Sequence, residues 1–227
     1  MSPQGLNAVA GRVQRPVPLR EAVYEAILDL ITNRSLSPGQ HLVETELAQT
    51  LGVSRQPVRE AMQRLSNEGW VDLRPGYGAF VHTPTESEAD QLLAVRALLE
   101  TESARLAAQN ASTEQIGTMR DLVAAGRAAT DRADTDAVVQ ANADFHRTVT
   151  EASGNRVLAE LAAQVDRRVR WYYAPVARVR GAASWDEHSA LVDVIEGRDA
   201  DAALRLMSEH TERTRRTYHE QVDGVEA

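Results

Sequence analysis

The chain has 227 residues, no cysteine and a formal net charge of −8. The length allows a small module joined to a larger partner, and the missing cysteine excludes disulfide frameworks, thiolate metal sites and a cysteine nucleophile. The acidic balance excludes a uniformly phosphate-coating protein, but it is unevenly spread: residues 1–82 carry eight Arg and eight acidic groups, whereas residues 83–227 carry seventeen Arg and twenty-five acids. The second part is therefore expected to stay off a nucleic-acid backbone, which is gripped by clustered cations. All 25 cations are Arg and they occur in both parts, a genomic habit rather than a recognition device.

The first eighteen residues have no continuous apolar core, and no later stretch approaches the length that spans a bilayer. A soluble cytoplasmic protein with a flexible tail over residues 1–18 and no membrane partner is expected. From Leu19 to Ile31 the apolar positions Leu19, Val23, Ala26, Ile27, Leu30 and Ile31 recur at helical spacing, and the turn formers of NRSLSPG stop the helix. A short helix follows from Glu44 to Leu51, Gly52 ends it, and Ser54 is placed to cap a further helix running to about Gly69. Two short helices joined by Leu-Gly-Val-Ser outline a helix-turn-helix. Two β-compatible runs, Trp70–Leu73 and Ala79–His82, flank Arg-Pro-Gly-Tyr-Gly as the strands of a hairpin wing. After Pro84 the sequence is rich in Ala, Leu, Val, Arg and Glu at helical spacing. Breaks near Asn110–Ser112, Asp131–Asp134, Ser153–Asn155, Gly181–Ser184 and Gly197–Asp199 divide it into about six helices. The predicted fold class is mainly α: a winged helix-turn-helix over residues 19–82, then an all-α antiparallel bundle over residues 83–227.

A recognition helix presents donors at its amino-terminal turns, where guanine offers two acceptors that Arg grips bidentately. Ser54 and the first free N–H groups suit a phosphate, while Arg55, Gln56 and Arg59 have the reach for base edges or phosphates. Val58, Ala61, Met62 and Leu65 on the opposite face would hold the helix to its domain, and Gly76 at the wing tip would let backbone approach the minor groove. On a lone helix, Arg55, Arg59 and Arg64 with Glu60 and Glu68 would be a solvated face. Here helix, turn, helix and wing follow in order within about sixty residues, which favours DNA binding. The run LREAVYEAILDLI through LSPGQHLVETELAQTLGVSRQPVREAMQRLSNEGWVDLRPGYGAFV resembles the amino-terminal domain of GntR-type regulators across residues 19–82. The resemblance implies DNA contacts at Ser54, Arg55, Gln56, Arg59 and Gly76. Thr45 stands where some relatives place a further DNA-reaching Arg.

Three histidines have informative positions in the second part. Asn142 and His146 lie four apart, on one helix face. His188 and His210 are each eleven residues from Asp199, so an antiparallel hairpin turning there puts them at one height. Three neutral imidazoles so arranged can form a divalent-metal site with open positions, although a single His on a helix face is more often a hydrogen-bonded or surface residue. The segments VRALLETESARLAA and ANADFHRTVTEASGN, with His188 and His210, resemble the FCD effector domain of the FadR subfamily over roughly residues 86–222. The resemblance implies a divalent ion, zinc or nickel, on His146, His188 and His210, with Asn142 where many relatives carry a carboxylate. It also implies a small organic acid effector met by Arg96 of the family pattern R..LE; the alternative for Arg96 is an exposed ion pair with Glu100. Asn155 is either a helix cap or an amide beside the effector. Trp171, Tyr172 and Tyr173 line the pocket or pack in a core or interface.

The function that follows is a transcriptional regulator, not an enzyme. It would bind inverted-repeat operator half-sites as a homodimer, with operator affinity modulated by the effector. The competing assignment is a metal-dependent enzyme using the same three histidines, with Asp144 or Glu187 as base; no HExxH or paired-carboxylate motif accompanies them.

Overall fold

The computed structural model describes residues 17–223, with the side chains of residues 170–178 and 221–223 outside the description. Most of the expected tail, and the side chains of Trp171, Tyr172 and Tyr173, therefore lie outside the described residues. The chain divides into two compact units, the first ending at Pro84 and the second starting at Thr85. Helix dominates, in line with the mainly α expectation. Among the described residues no helix is long and apolar enough to cross a membrane.

The first unit contains α1 (Leu19–Thr32), β1 (His41–Leu42), α2 (Glu44–Leu51), α3 (Arg55–Asn67), β2 (Val71–Arg74) and β3 (Gly78–Val81). α1 buries Val23, Tyr24, Ile27, Leu28 and Ile31, an arc of roughly 140° at 100° per residue. Leu19, Ala26 and Leu30 fall beyond the edge of that arc, and Leu19 is exposed. Tyr24 and Leu28 thus complete a stripe that apolar spacing alone assigns one step to the side. α2 ends at Gly52, whose φ of 66° is left-handed, a conformation that glycine adopts without Cβ strain. Val53 N–H reaches back to Ala48 O at 3.0 Å. The turn is thereby short enough to set α3 across α2.

The wing is the antiparallel pair β2 and β3, with Val71 opposite Val81 and Arg74 opposite Gly78. β1 adds a third strand on the far side of β3, giving the order β1-β3-β2. Two residues carry no period-2 pattern, so β1 is invisible in sequence; it exists because β3 offers an edge, with Leu42 opposite Ala79. Trp70, Val71, Ala79 and Val81 join the buried faces of α1 and α3 in one core.

The second unit is built from α4 (Glu86–Asn110), α5 (Thr113–Asp131), α6 (Thr135–Ala152), α7 (Arg156–Glu196) and α8 (Ala200–Asp223). Polar caps set the starts. Thr85 with Glu88 and Ser112 with Gln115 form capping boxes, Asp134 caps α6, Asn155 caps α7, and Asp199 accepts from Ala202 N–H at 2.9 Å before α8. Of the breaks read from the sequence, the one at Gly181–Ser184 falls inside the span Arg156–Glu196, where two helices meet at a kink. Gly181 has φ 38° and ψ −125° inside α7, and the Ala-rich sequence after it resumes the helix, as glycine kinks allow. Counted across that kink, the described residues of this unit form six helical segments, as the breaks in the sequence predict.

The core of this unit gathers Met119, Phe145, Ile195 and Met207 around a set of alanines. A second cluster centres on Trp185 with Leu93 and Val169. Gly126 of α5 makes room for Trp185: a Cβ there would lie 2.1 Å from the indole ring. Trp185 also donates Nε1–H to Thr130 Oγ1 at 3.1 Å. That seat fixes the part of α7 beyond the bend, which carries His188.

Candidate functional site

On α3 the buried face is Val58, Ala61, Met62 and Leu65, and Ser54, Arg55, Gln56 and Arg59 are exposed. Ser54 occupies the N-cap position with extended backbone, but its hydroxyl makes no cap bond. The capping bond expected from the sequence does not form, and Pro57, the third helical residue, removes one of the two N–H groups such a cap can use. Gln56 bonds Glu60 at 2.8 Å. Arg59 binds Glu44 through Nε at 2.9 Å and a terminal nitrogen at 2.8 Å, and Arg55 reaches the same carboxylate at 3.0 Å. The bond from Arg59 is the main cause holding the Glu44 carboxyl down at about 2. Thr45, next to Glu44, is exposed. Gly76 at the wing tip has φ 78°, and a Cβ there would meet nothing within 4 Å.

Glu44 escaped sequence reasoning. It lies eleven and fifteen residues before its partners, a spacing with no meaning until α2 crosses α3. The one available signal is that Arg55 and Arg59, four apart, present a double cation to whatever packs before their helix.

In the second unit α6, α7 and α8 bring His146, His188 and His210 together, each offering a ring nitrogen within 4.8 Å of the others. They are 3%, 1% and 4% exposed, too buried to be surface histidines. Phe145 stacks on His188 at 4.2 Å between centroids, and Trp185 meets the same imidazole edge-on at 5.0 Å. Burial, followed by the neighbouring His210 and His146, pushes His188 well below its ordinary value. Burial also lowers His210 to about 4, against an opposing bond from Glu187. Both imidazoles are thus neutral near pH 7, the form that ligates a metal.

Glu187 accepts from His210 Nδ1 at 2.7 Å, which leaves Nε2 of that ring as the ligating atom. It also accepts from Arg213 Nε at 2.7 Å and from the buried Arg180, which itself donates to Thr214. Burial raises the Glu187 carboxyl, but the bonds from His210 and Arg180 outweigh it and bring it to about 2. Glu187 therefore orients an imidazole instead of serving as a base. Arg180 and the bend beside it were not legible as site features.

Both ring nitrogens of His146 and of His188, together with Glu100 Oε2, are buried without a hydrogen-bond partner. His146 Nδ1 nevertheless lies 3.1 Å from Glu100 Oε1, a contact that, against burial and alongside Arg96, helps hold that carboxyl down and leaves Nε2 as the ligating nitrogen. Each such orphan costs about 1–3 kcal/mol if nothing satisfies it, so the donor set fits a divalent cation. Asn142 is buried one turn before His146.

A cavity of about 340 Å³ opens beside this cluster, lined by Arg96, Glu100 and His146 together with Gln140, Asp144 and Arg147. Arg96 donates Nε–H to Glu100 at 2.7 Å. The ion pair weighed from the sequence therefore forms, but it is buried rather than exposed and sits on the cavity wall. Asp144 bonds Gln140 and Arg147 and is not part of the histidine cluster. Asn155 is not among the residues that line the cavity; its Oδ1 accepts from Leu158 N–H at 3.1 Å, the cap alternative.

Residues 19–81 match the family of bacterial regulatory proteins named gntR, and residues 91–213 match the FCD domain. The transcriptional repressor RspR of Escherichia coli is 26% identical over 201 residues, covering 85% of this chain and 86% of its own. The transcriptional repressor NanR of Citrobacter rodentium is 28% identical across 93% of this chain and 92% of its own. In fold, E. coli McbR/YncC superposes with a TM-score of 0.76 at 20% identity, covering 91% of this chain and 100% of that one. These families and relatives are regulators, which sets the metal-dependent enzyme alternative aside. The chain belongs to the GntR-type DNA-binding transcriptional regulators that carry an FCD domain after the winged helix.

Proposed function

We propose that residues 83–227 are an effector-sensing and dimerisation domain that holds a divalent ion, zinc or nickel, on His146, His188 and His210, with Asn142 as a neutral fourth donor. A small carboxylate effector occupies the adjoining cavity, its anionic end on Arg96, and its binding alters operator affinity. The observation that carries this is the orphaned nitrogens of His146 and His188, with His146 on the same cavity wall as the buried Arg96. The bound metal would supply Lewis acidity for an effector oxygen. The chain supplies the rest: Glu187 fixes the His210 tautomer, Phe145 and Trp185 fix the His188 ring, and Arg96 offers a guanidinium to a carboxylate. The first unit, residues 19–82, docks α3 in the major groove through Ser54, Arg55, Gln56 and Arg59, with Gly76 at the minor groove and Thr45 beside the backbone. A homodimer on inverted-repeat half-sites about one helical turn apart matches this geometry. The effector acts to the extent that it prefers one arrangement of the dimer over the other.

The test joins metal content to response. Purified protein should carry about one divalent ion per chain or take one up when offered zinc or nickel. A panel of small hydroxy and dicarboxylic acids should then shift operator affinity in the metal-loaded protein. Arg96→Ala should abolish that shift and leave effector-free DNA binding in place. Protein that neither contains nor binds a divalent ion sinks the metal assignment, and a normal response in Arg96→Ala removes Arg96 from the pocket.

A further inference from the structure

The two arginines assigned to DNA are not loose in the free protein. The Glu44 carboxylate, 22% exposed at the first turn of α2, takes two bonds from Arg59 and one from Arg55. The three side chains form a closed cluster of net charge +1 where the arginines alone would present +2. We propose that Glu44 is a positioning residue that sets the sequence selectivity of α3, by fixing the two guanidiniums relative to each other and by discounting their charge against bare phosphate. The proposal rests on Arg55 and Arg59 being DNA-facing groups.

A phosphate and a guanine edge make different demands on an arginine. Non-specific affinity comes from neutralising phosphates and releasing their counterions, so it scales with the effective cationic charge of the face. An arginine already neutralised by a carboxylate gains little by exchanging one anionic oxygen for another. A guanine edge makes a different demand, because it needs two N–H donors at a set separation. Guanidinium has five such donors in a rigid fork. Glu44 uses Nε and one terminal nitrogen of Arg59, and one terminal nitrogen of Arg55, so each arginine keeps donors for O6 and N7 without releasing the carboxylate. A phosphate can use the same spare donors, but the nearby carboxylate discounts its attraction, whereas a guanine edge carries no net charge and loses little. Two long side chains are also held in one rotamer each before DNA arrives, which removes part of the ordering cost of binding. With its carboxyl held at about 2, Glu44 is ionised at every pH at which duplex DNA is intact.

The experiment uses the full chain as wild type, E44Q and E46Q. The probes are a duplex enriched by the wild type from a random-sequence pool and a scrambled duplex of equal composition, over about 50–300 mM salt. Glu46 is the other acid in the first turn of α2 and, among the described residues, bonds neither arginine, so E46Q controls for loss of charge at that helix end. E44Q should bind the scrambled duplex about tenfold tighter at the low-salt end, with the slope of log K against log salt steeper by about 1. The ratio of enriched to scrambled affinity should fall about tenfold, and E46Q should keep the wild-type ratio. An unchanged ratio and slope in E44Q overturns the proposal, as does an E46Q that reproduces the E44Q changes. Arg55→Ala and Arg59→Ala separate the two layers. If they weaken binding while E44Q changes nothing, only the role of Glu44 fails; if neither weakens it, the assignment of the recognition helix fails.

Discussion

The proposed recognition face and the histidine cluster are built on opposite plans. The first is a run of neighbours on one exposed helix, Ser54 to Arg59, steadied by a single carboxylate from the helix before it. The second draws one imidazole from each of three helices, buries all three, and surrounds them with Phe145, Trp185, Glu187 and Arg180. An exposed array can lose a member and keep the rest in place. A buried cluster responds as a unit, because the three rings pack against one another, with centroids 4.7–5.2 Å apart.

The largest expected effect is therefore at the cluster. His188→Ala removes a proposed ligand and empties the space between Phe145 and Trp185, so metal affinity should fall at least about 100-fold. Chelator competition on the purified variant measures this, and retention of wild-type affinity would show that the three histidines do not act together on an ion. The recognition face should respond in steps. Arg55→Ala and Arg59→Ala should each cost about 1–3 kcal/mol of operator binding, read by titration of a labelled operator at fixed salt. The double variant should fall short of the sum, because both arginines share Glu44 and so are coupled. Strict additivity would mean that the shared carboxylate has no energetic consequence.

The same contrast explains what was legible in the sequence. Local periodicity and turn residues exposed the winged helix, since Val58, Ala61, Met62 and Leu65 and the glycines of the wing are informative within a few residues of one another. Equal spacing about Asp199 placed His188 and His210 at one level, because an antiparallel hairpin converts sequence distance into height. What the sequence hid were contacts that exist only after helices cross. Glu44 under Arg55, Glu187 behind His210, and Gly126 making room for Trp185 have no periodic mark. The failed Ser54 cap was legible in part, since Pro57 removes one of the two N–H groups that cap could use. β1 was not, because two residues paired to an existing edge carry no pattern of their own.

The smallest effect concerns a fourth histidine, which shows the contrast within one residue type. His188 and His210 are driven down by burial, but His219 is raised, first by its bond to Asp90 and, against a modest desolvation, by Glu86. It sits on α8 with Nε2 at 2.7 Å from Asp90 and Nδ1 at 3.3 Å from Glu86, and Arg215 holds the same Asp90 bidentately. The Asp90 carboxyl, brought to about 2 by Arg215 and then His219, stays ionised at any pH where the imidazole titrates. The adjacent Tyr218 is raised above its usual 10 and stays neutral there. A raised histidine stabilises the fold fully below its unfolded value of about 6.5, and the contribution is lost as pH rises through the higher folded value. His219 is 35% exposed at its side chain, so screening limits the gain to less than about 1 kcal/mol. Melting of wild type and His219→Gln should accordingly show a small wild-type advantage at about pH 6 that closes by about pH 9. A difference that is constant across that range would mean the imidazole contributes packing or neutral hydrogen bonds, and that its charge does not tie the start of α4 to the end of α8.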